Sequence, residues 1–403
     1  MSRNITVGID VGTYQVKVVV AELVKDNSKS VTRVIGTGFT ESKGLRHGYI
    51  INSSDVTESI ETAVKMAEKI SGVKIHKAFI AMGGIGLSGI TGTASTVIGR
   101  ADLQITELDI EKLGELCEQN LPVSLIQNQR ILHSIPISYK IDGKTVLAKT
   151  PVDLKATKLE VKMLFITCLE PHLSDLLEAV EEAGVEVIDC LASPIAGSFV
   201  TLSKTQKMAG CVLANIGAET ISIVVFENNI PVSLEVFPIG GTDITNDIAL
   251  GLKIPLEQAE NIKLGSLGGS SFPKKKLEEI ISARLSDMFE LIENHLKKIG
   301  RNGLLPAGIF ITGGGSSIGT IEDFAKVALK LPSRLAEINL GNQPTPSGST
   351  VGGKNHIKDS TWAVAYGLCM LGFSKEEKIN LGLRGTVSRG GEKIFGWIKQ
   401  FLP

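Results

Sequence analysis

The sequence predicts an α/β fold in which one domain occurs twice around a shared cleft, with a smaller α+β unit inserted in the first copy. Three observations predict it. Strand-like and helix-like patterns alternate along most of the chain. A hairpin with a glycine turn occurs twice at a fixed separation. A third glycine cluster joins a buried strand to a helix.

Residues 5–11 and 15–24 read as strands around a glycine turn, and 31–39 as a third strand. Residues 54–71 have the apolar spacing of an amphipathic helix. Residues 76–82 (HKAFIAM) read as a further strand leading into a glycine cluster. Residues 84–159 differ, with short β-like runs around one helix near 107–120, which predicts the inserted unit. Residues 160–168 read as a strand, and 171–184 as a helix ended by Gly184.

The repeat is the most informative feature. Residues 9–20 read IDVGTYQVKVVV and residues 214–225 read ANIGAETISIVV. Asp10 aligns with Asn215, Gly12 with Gly217 and Val18 with Ile223, all at an offset of 205 residues. In each, a first strand ends in an acid or amide, a glycine turn follows, and a β-branched strand returns. Two such hairpins predict a duplicated domain with a site between the halves. Residues 307–319, AGIFITGGGSSIG, run from a buried strand through Gly313, Gly314 and Gly315 toward the helix-like 320–330. Such a turn lets backbone approach a flat or anionic ligand.

Composition narrows the function classes. The chain is 43% hydrophobic and 21% charged, which supports packed cores and excludes a disordered polymer. Lys plus Arg number 42 and Asp plus Glu 43, a net charge of −1, so no basic excess marks a nucleic-acid binder. Cys117, Cys168, Cys190, Cys211 and Cys369 form no CxxC pair, which argues against a zinc site or disulfide framework and fits a reducing compartment. MSRNITVGIDVG shows no signal-peptide succession. The apolar stretch 362–373 is shorter than the roughly 18 residues of a membrane span. A cytoplasmic protein able to lie on a membrane surface is expected.

The hairpins, the GGGS turn and the AENIK of a helix resemble the actin, Hsp70 and hexokinase superfamily. AGSFVTL (196–202), NIGAETISIVVF (215–226), FPIGGTDITNDIALGL (237–252), PLEQAENIK (255–263) and GGG (313–315) follow one another as in the FtsA family of actin-like bacterial cell division proteins. ITELDI (105–110) and ILHSIPISYKIDG (131–143) look like the subdomain peculiar to that family and its relative PilM. The resemblance implies duplicated actin-like (ribonuclease H-like) domains around a nucleotide cleft. It divides the chain into subdomain 1A (1–83, 164–195 and the helix 361–373), inserted subdomain 1C (84–163), 2A (196–240 and 306–360), 2B (241–305), a linker (374–391) and a terminal helix (392–403).

In such a cleft, Gly12, Thr13 and Tyr14 would offer backbone N–H groups to phosphate oxygens, with Gly217, Ala218, Glu219 and Thr220 as the facing nest. Lys17 could reach the same phosphates as a point charge, or simply be solvated. Asp10, and more weakly Asn215, would hold Mg²⁺ through water. Glu260 and Lys263 share a helix face; by resemblance they contact ribose and adenine, and the alternative is a surface ion pair. Gly314, Gly315 and Ser316 would back the nucleotide. The superfamily usually has an aspartate at the position of Asn215 and GGGT where this chain has GAET, so ATP binding with slow turnover at most is expected. No catalytic base stands out; Gln127 and Gln129 are candidates that also read as ordinary surface glutamines.

By resemblance, 241–305 takes the C-terminal tail of FtsZ, with Arg284 on the helix near 275–299 as the cation for an acidic peptide. Lys297 and Lys298 read as a solvated face. The inserted unit is expected to make filament contacts between copies and to meet later division proteins. A PilM-like pilus adaptor is the competing reading, and a small-molecule kinase a third.

The tail supplies the membrane expectation. Ile394, Phe395, Trp397, Ile398, Phe401 and Leu402 cover an arc of roughly 160° on a helix. Lys393 and Lys399 lie beside them, and Arg384 and Arg389 precede them. That pattern suits a helix in the interface of an anionic bilayer; docking on the protein's own core is the alternative. One short helix binds weakly, so a polymer would supply the multivalency for stable attachment. Deleting 392–403 should abolish co-sedimentation with anionic liposomes and spare ATP binding; undiminished liposome binding refutes the membrane role.

Overall fold

A computed structural model describes residues 3–26, 29–146, 150–265, 273–338 and 359–380. The expected membrane residues Lys393, Ile394, Phe395, Trp397, Ile398, Phe401 and Leu402 lie outside the described residues.

Two five-stranded sheets share one topology. In the first, Lys29–Glu41, Gln15–Asp26 and Asn4–Val11 form an antiparallel meander, and Lys77–Met82 and Glu186–Ala192 add to it in parallel. In the second, Ile230–Phe237, Ile221–Glu227 and Cys211–Ile216 form the meander, and Gly308–Thr312 and Ser333–Leu335 add in parallel. The registers also repeat. Asp10 lies opposite Lys17, and Asn215 opposite Ser222, each pair the last but one before its turn.

The run VKVVVA packs on both faces of the first sheet, which is why it lacks polar alternation. Val18 and Val20 join Val56, Ile60, Ala63 and Ala67 of the helix Ser53–Ser71. Val19 and Ala21 join Trp362, Ala365, Tyr366 and Cys369 on the other face. The Ser53–Ser71 helix starts where Asn52 accepts the Asp55 N–H and stops at Gly72, whose left-handed φ of 68° ends the spiral. The second sheet packs against Gly241–Leu252, Lys274–Lys298 and Ile321–Leu329, burying Ile244, Leu285, Met288, Phe289, Ile292 and Ala325.

The inserted unit forms its own sheet, ordered Ser88–Val97, Lys158–Leu169, Gln129–Ile141 and Lys144–Thr145. The helix Glu107–Gln119 covers it with Leu113 and Cys117, which meet Leu159, Met163 and Phe165. A reciprocal Thr106–Asp109 capping box fixes the start of that helix. Strand Lys158–Leu169 is continuous, so the boundary expected at 163 falls inside one strand.

The expected start of the linker changes. The helix Ala363–Asn380 runs past 373 into the stretch read as linker, because SKEEK contains good helix formers and no Gly or Pro lies between Phe373 and Gly382. The helix-like 320–330 is the helix Ile321–Leu329, reached from the glycine turn through a 3₁₀ turn at Gly314–Ser317. Among the described residues, no helix is long and apolar enough to cross a membrane.

Phe289 is fully buried and stacks on Phe324 with ring centroids 6.1 Å apart. Phe289→Ala should destabilise the second half by about 3–5 kcal/mol. Hydrogen exchange should show lost protection in its sheet, with the first sheet little changed.

Candidate functional site

The two meanders bring their turns to opposite sides of one cavity of about 550 Å³. The turns close identically: the Gly12 N–H donates to the Gln15 carbonyl at 3.2 Å, and the Gly217 N–H to the Thr220 carbonyl at 2.8 Å. Asp10, Gly12, Thr13, Tyr14 and Lys17 line the cavity from the first half, and Asn215, Gly217, Ala218 and Thr220 from the second. Glu260, Lys263, Gly314 and Gly315 complete the expected set that the fold brings together. The second turn is pinned to a helix start, where the Gly241 and Thr242 amides donate to the Gly217 and Ala218 carbonyls at 2.9 and 2.8 Å.

Charge is uneven across the cavity. Asp10 is held largely out of water, which pushes its carboxyl up to about 6, with Lys17 pulling it partly back. Lys17 is lowered by burial, opposed by Asp10 and Asp359. Its ammonium donates to the Thr361 carbonyl at 2.9 Å and lies 5.7 Å from the Trp362 ring centroid. It is therefore a positioned cation rather than a solvated one. The second half offers only neutral Asn215 and Ser222 at the matching positions.

Glu260 and Lys263 do form an ion pair, at 2.7 Å, but the lysine is not a surface group. Its ammonium also donates to the Gly241 carbonyl at 3.1 Å and to the Thr245 hydroxyl at 2.8 Å, and that hydroxyl donates to Glu260. At the glycine turn, Gly313 has φ 89°, and a Cβ there would stand 2.3 Å from Asn215 Oδ1. Only glycine fits against the strand end.

Five expected residues are placed otherwise. Glu219 turns out of the cavity, and its carboxylate accepts the His47 N–H. The Ser316 hydroxyl donates to the Gly313 carbonyl at 2.7 Å and does not line the cavity. Gln127 and Gln129 belong to the inserted unit and are not among the cavity residues. Arg284 is no free cation: its guanidinium grips Asp247 through two bonds of 2.6 and 3.0 Å and contacts Asp287 at 3.3 Å, tying two helices together. Lys297 pairs with Glu293 at 2.9 Å.

Sequence reasoning missed Ser193, His172, Thr242, Thr245 and Thr312 in the lining. Ser193 and Thr312 carried a usable signal. Ser193 directly follows the parallel strand Glu186–Ala192 and Thr312 ends the parallel strand Gly308–Thr312, at the carboxyl ends where α/β sheets build their sites. His172 and Thr245 sit on helices, and only packing turns them toward the cavity.

Comparison with known proteins places this architecture. The family model described as cell division protein FtsA matches residues 212–367, which hold the second hairpin, the Lys263 helix and the glycine turn. The model of the SHS2 domain inserted in FtsA matches residues 86–167, the inserted sheet. The chain belongs to the FtsA family. Cell division protein FtsA of Pseudomonas aeruginosa is 27% identical over 93% of this chain and 91% of its own length. Its Bacillus subtilis counterpart is 29% identical over 84% and 80%, and that of Escherichia coli K12 25% identical over 99% and 96%. Among solved structures, a PilM–PilN type IV pilus biogenesis complex shares the fold with a TM-score of 0.66 at 16% identity, covering 91% of this chain and 98% of that one. MreB5 of Spiroplasma citri bound to AMPPNP does so at 0.52 and 13%, covering 94% and 99%. The fold is actin-like, and the sequence relatives favour FtsA over the PilM alternative.

Asp10 yields a pH prediction. With its folded-state pKa raised, its stabilising proton is retained at low pH and lost as pH rises through about 6. Asp10→Asn should therefore raise the stability of the ligand-free protein at pH 7.5, by about 1–2 kcal/mol, with the gain vanishing near pH 4. Urea denaturation at the two pH values checks this.

Proposed function

We propose that the chain is an actin-like, ATP-binding division protein that polymerises on the cytoplasmic face of the cell membrane and tethers FtsZ filaments at the septum. The observation that carries the nucleotide part is the pair of identically closed glycine turns facing each other across one cavity. Backbone N–H groups in facing turns suit a polyphosphate. The residues fit Mg-ATP. A cavity of about 550 Å³ suits a nucleotide, and Asp10 is a carboxylate in its lining whose charged form desolvation disfavours. Gly12, Thr13, Gly217, Ala218 and Thr220 would hold phosphates, and Lys17 would add a cation. Asp10, with Asn215 opposite, would hold Mg²⁺ through its waters. The ion would neutralise phosphate charge. Glu260 and Lys263 would meet ribose and base. MreB5 of the same fold has been solved with ADP and with AMPPNP, which supports this reading.

Turnover is proposed to be slow. Asn215 supplies a neutral ligand where a second carboxylate would hold the ion more firmly. Among the residues that line the cavity, only Asp10, Glu257 and Glu260 carry carboxylates, and Glu260 is bound to Lys263.

Family membership supports division partners, and the tail pattern supports the membrane. The proposed surface for the FtsZ tail is the helix Lys274–Lys298, with Arg284 holding that helix to Gly241–Leu252 through Asp247. Filament contacts and later division proteins would use the inserted unit.

The full chain should bring FtsZ down with anionic liposomes in the presence of Mg-ATP, and Arg284→Glu should weaken affinity for the FtsZ tail. The double variant Asp247→Arg with Arg284→Glu should recover most of that affinity, because the ion pair is restored with its charges exchanged. Unchanged tail affinity for Arg284→Glu would remove this surface from the proposal.

A further inference from the structure

The hairpin Leu45–Arg46 and Tyr49–Ile50 lies over the cavity, which Leu45, Gly48 and Ile50 help to line. The first half grips it firmly. The Ile85 N–H donates to the His47 carbonyl at 3.2 Å, and the Tyr49 ring rests on His172 with centroids 4.7 Å apart. Gly48 has φ 84°, and a Cβ there would stand 2.4 Å from the Gly84 Cα. His47 itself has a left-handed φ of 49°. This backbone state is sterically costly for a side-chain-bearing residue and persists only where neighbours hold it.

The second half also grips it, through Glu219. The carboxylate accepts the His47 N–H, and the His47 ring Nδ1–H donates to the Glu219 carbonyl at 3.1 Å. A carbonyl can only accept, so Nδ1 carries the proton here. The contact is no by-product of the duplication. The residue matching Glu219 in the first hairpin is Tyr14, which is 63% exposed. Both hairpins fold alike, yet only the second reaches across to a strap.

We propose that Glu219 is a positioning residue that latches the 45–50 hairpin across the cavity, so that release of a bound nucleotide requires this latch to open. The proposal rests on the nucleotide reading above. It accounts for an acidic residue in a turn that would face phosphates: the carboxylate is turned away and neutralised in part by a backbone donor. A hydrogen bond to a charged acceptor is about twice as strong as a neutral one. The strap itself contributes backbone and apolar side chains to the cavity wall, so moving it unroofs the site.

The test is stopped-flow release of a fluorescent ATP analogue, chased with ATP, from the full chain. Glu219→Ala should speed release about tenfold, equivalent to ~1.4 kcal/mol. Glu219→Gln should release at a rate between the two, because its amide oxygen still accepts the His47 N–H but as a neutral, weaker acceptor. Equal release from the parent and Glu219→Ala overturns the latch. Release sped equally by both variants overturns the hydrogen bond as its cause. If the parent does not bind the analogue, the nucleotide reading fails, and hydrogen exchange judges the latch separately. Glu219→Ala should then raise exchange at 45–50 while Asn4–Val11 and Cys211–Ile216 stay protected, and unchanged exchange at 45–50 rejects the latch.

Discussion

The Gly12 amide on the Gln15 carbonyl, and the Gly217 amide on the Thr220 carbonyl, fix everything else about the site. Each bond closes a tight turn between an innermost strand and its antiparallel neighbour. Each innermost strand is central to a five-stranded sheet and packed by helices, so its end cannot shift without disturbing a core. The turns therefore face each other as rigid objects. The cavity is the space that two such sheets leave between them.

On that symmetric frame the chemistry is asymmetric. The register puts Asp10 beside Lys17 in one half and Asn215 beside Ser222 in the other. One wall carries a half-buried carboxylate and a half-buried ammonium, and the other carries neutral dipoles. A polyphosphate with its ion would find charge on one side and backbone donors on both. The same asymmetry extends to the turn tips, where Tyr14 faces water and Glu219 holds a strap. Duplication set the geometry, and substitution within the copies set the electrostatics.

Ionic groups outside the cavity serve the helices. Arg284 and Asp247 join Lys274–Lys298 to Gly241–Leu252, the helix that starts against the second turn. Lys263 reaches back to the same start through the Gly241 carbonyl. A change on the outer helix face thus has a short mechanical route to the ligand wall. Both contacts join groups far apart in sequence, and neither could be inferred from a residue's type.

The sequence by itself determined the class of fold, the duplication, the inserted unit and most of the cavity lining. Those depend on local rules: β-branched runs that can bury both faces, glycines where a turn leaves no room for a Cβ, and repetition that is visible without any contact. Residues at the turns are adjacent in the chain, so their juxtaposition is inherited from the hairpin. Only the tertiary structure decided where the long side chains point. Glu219, Arg284 and Ser316 each had a partner near enough to take the donor or acceptor that local reading had assigned to a ligand. His172 and Thr245 entered the lining because packing aimed them there. A charged or polar side chain goes to whichever partner the folded chain brings within about 3 Å, and only long-range packing fixes which partner that is.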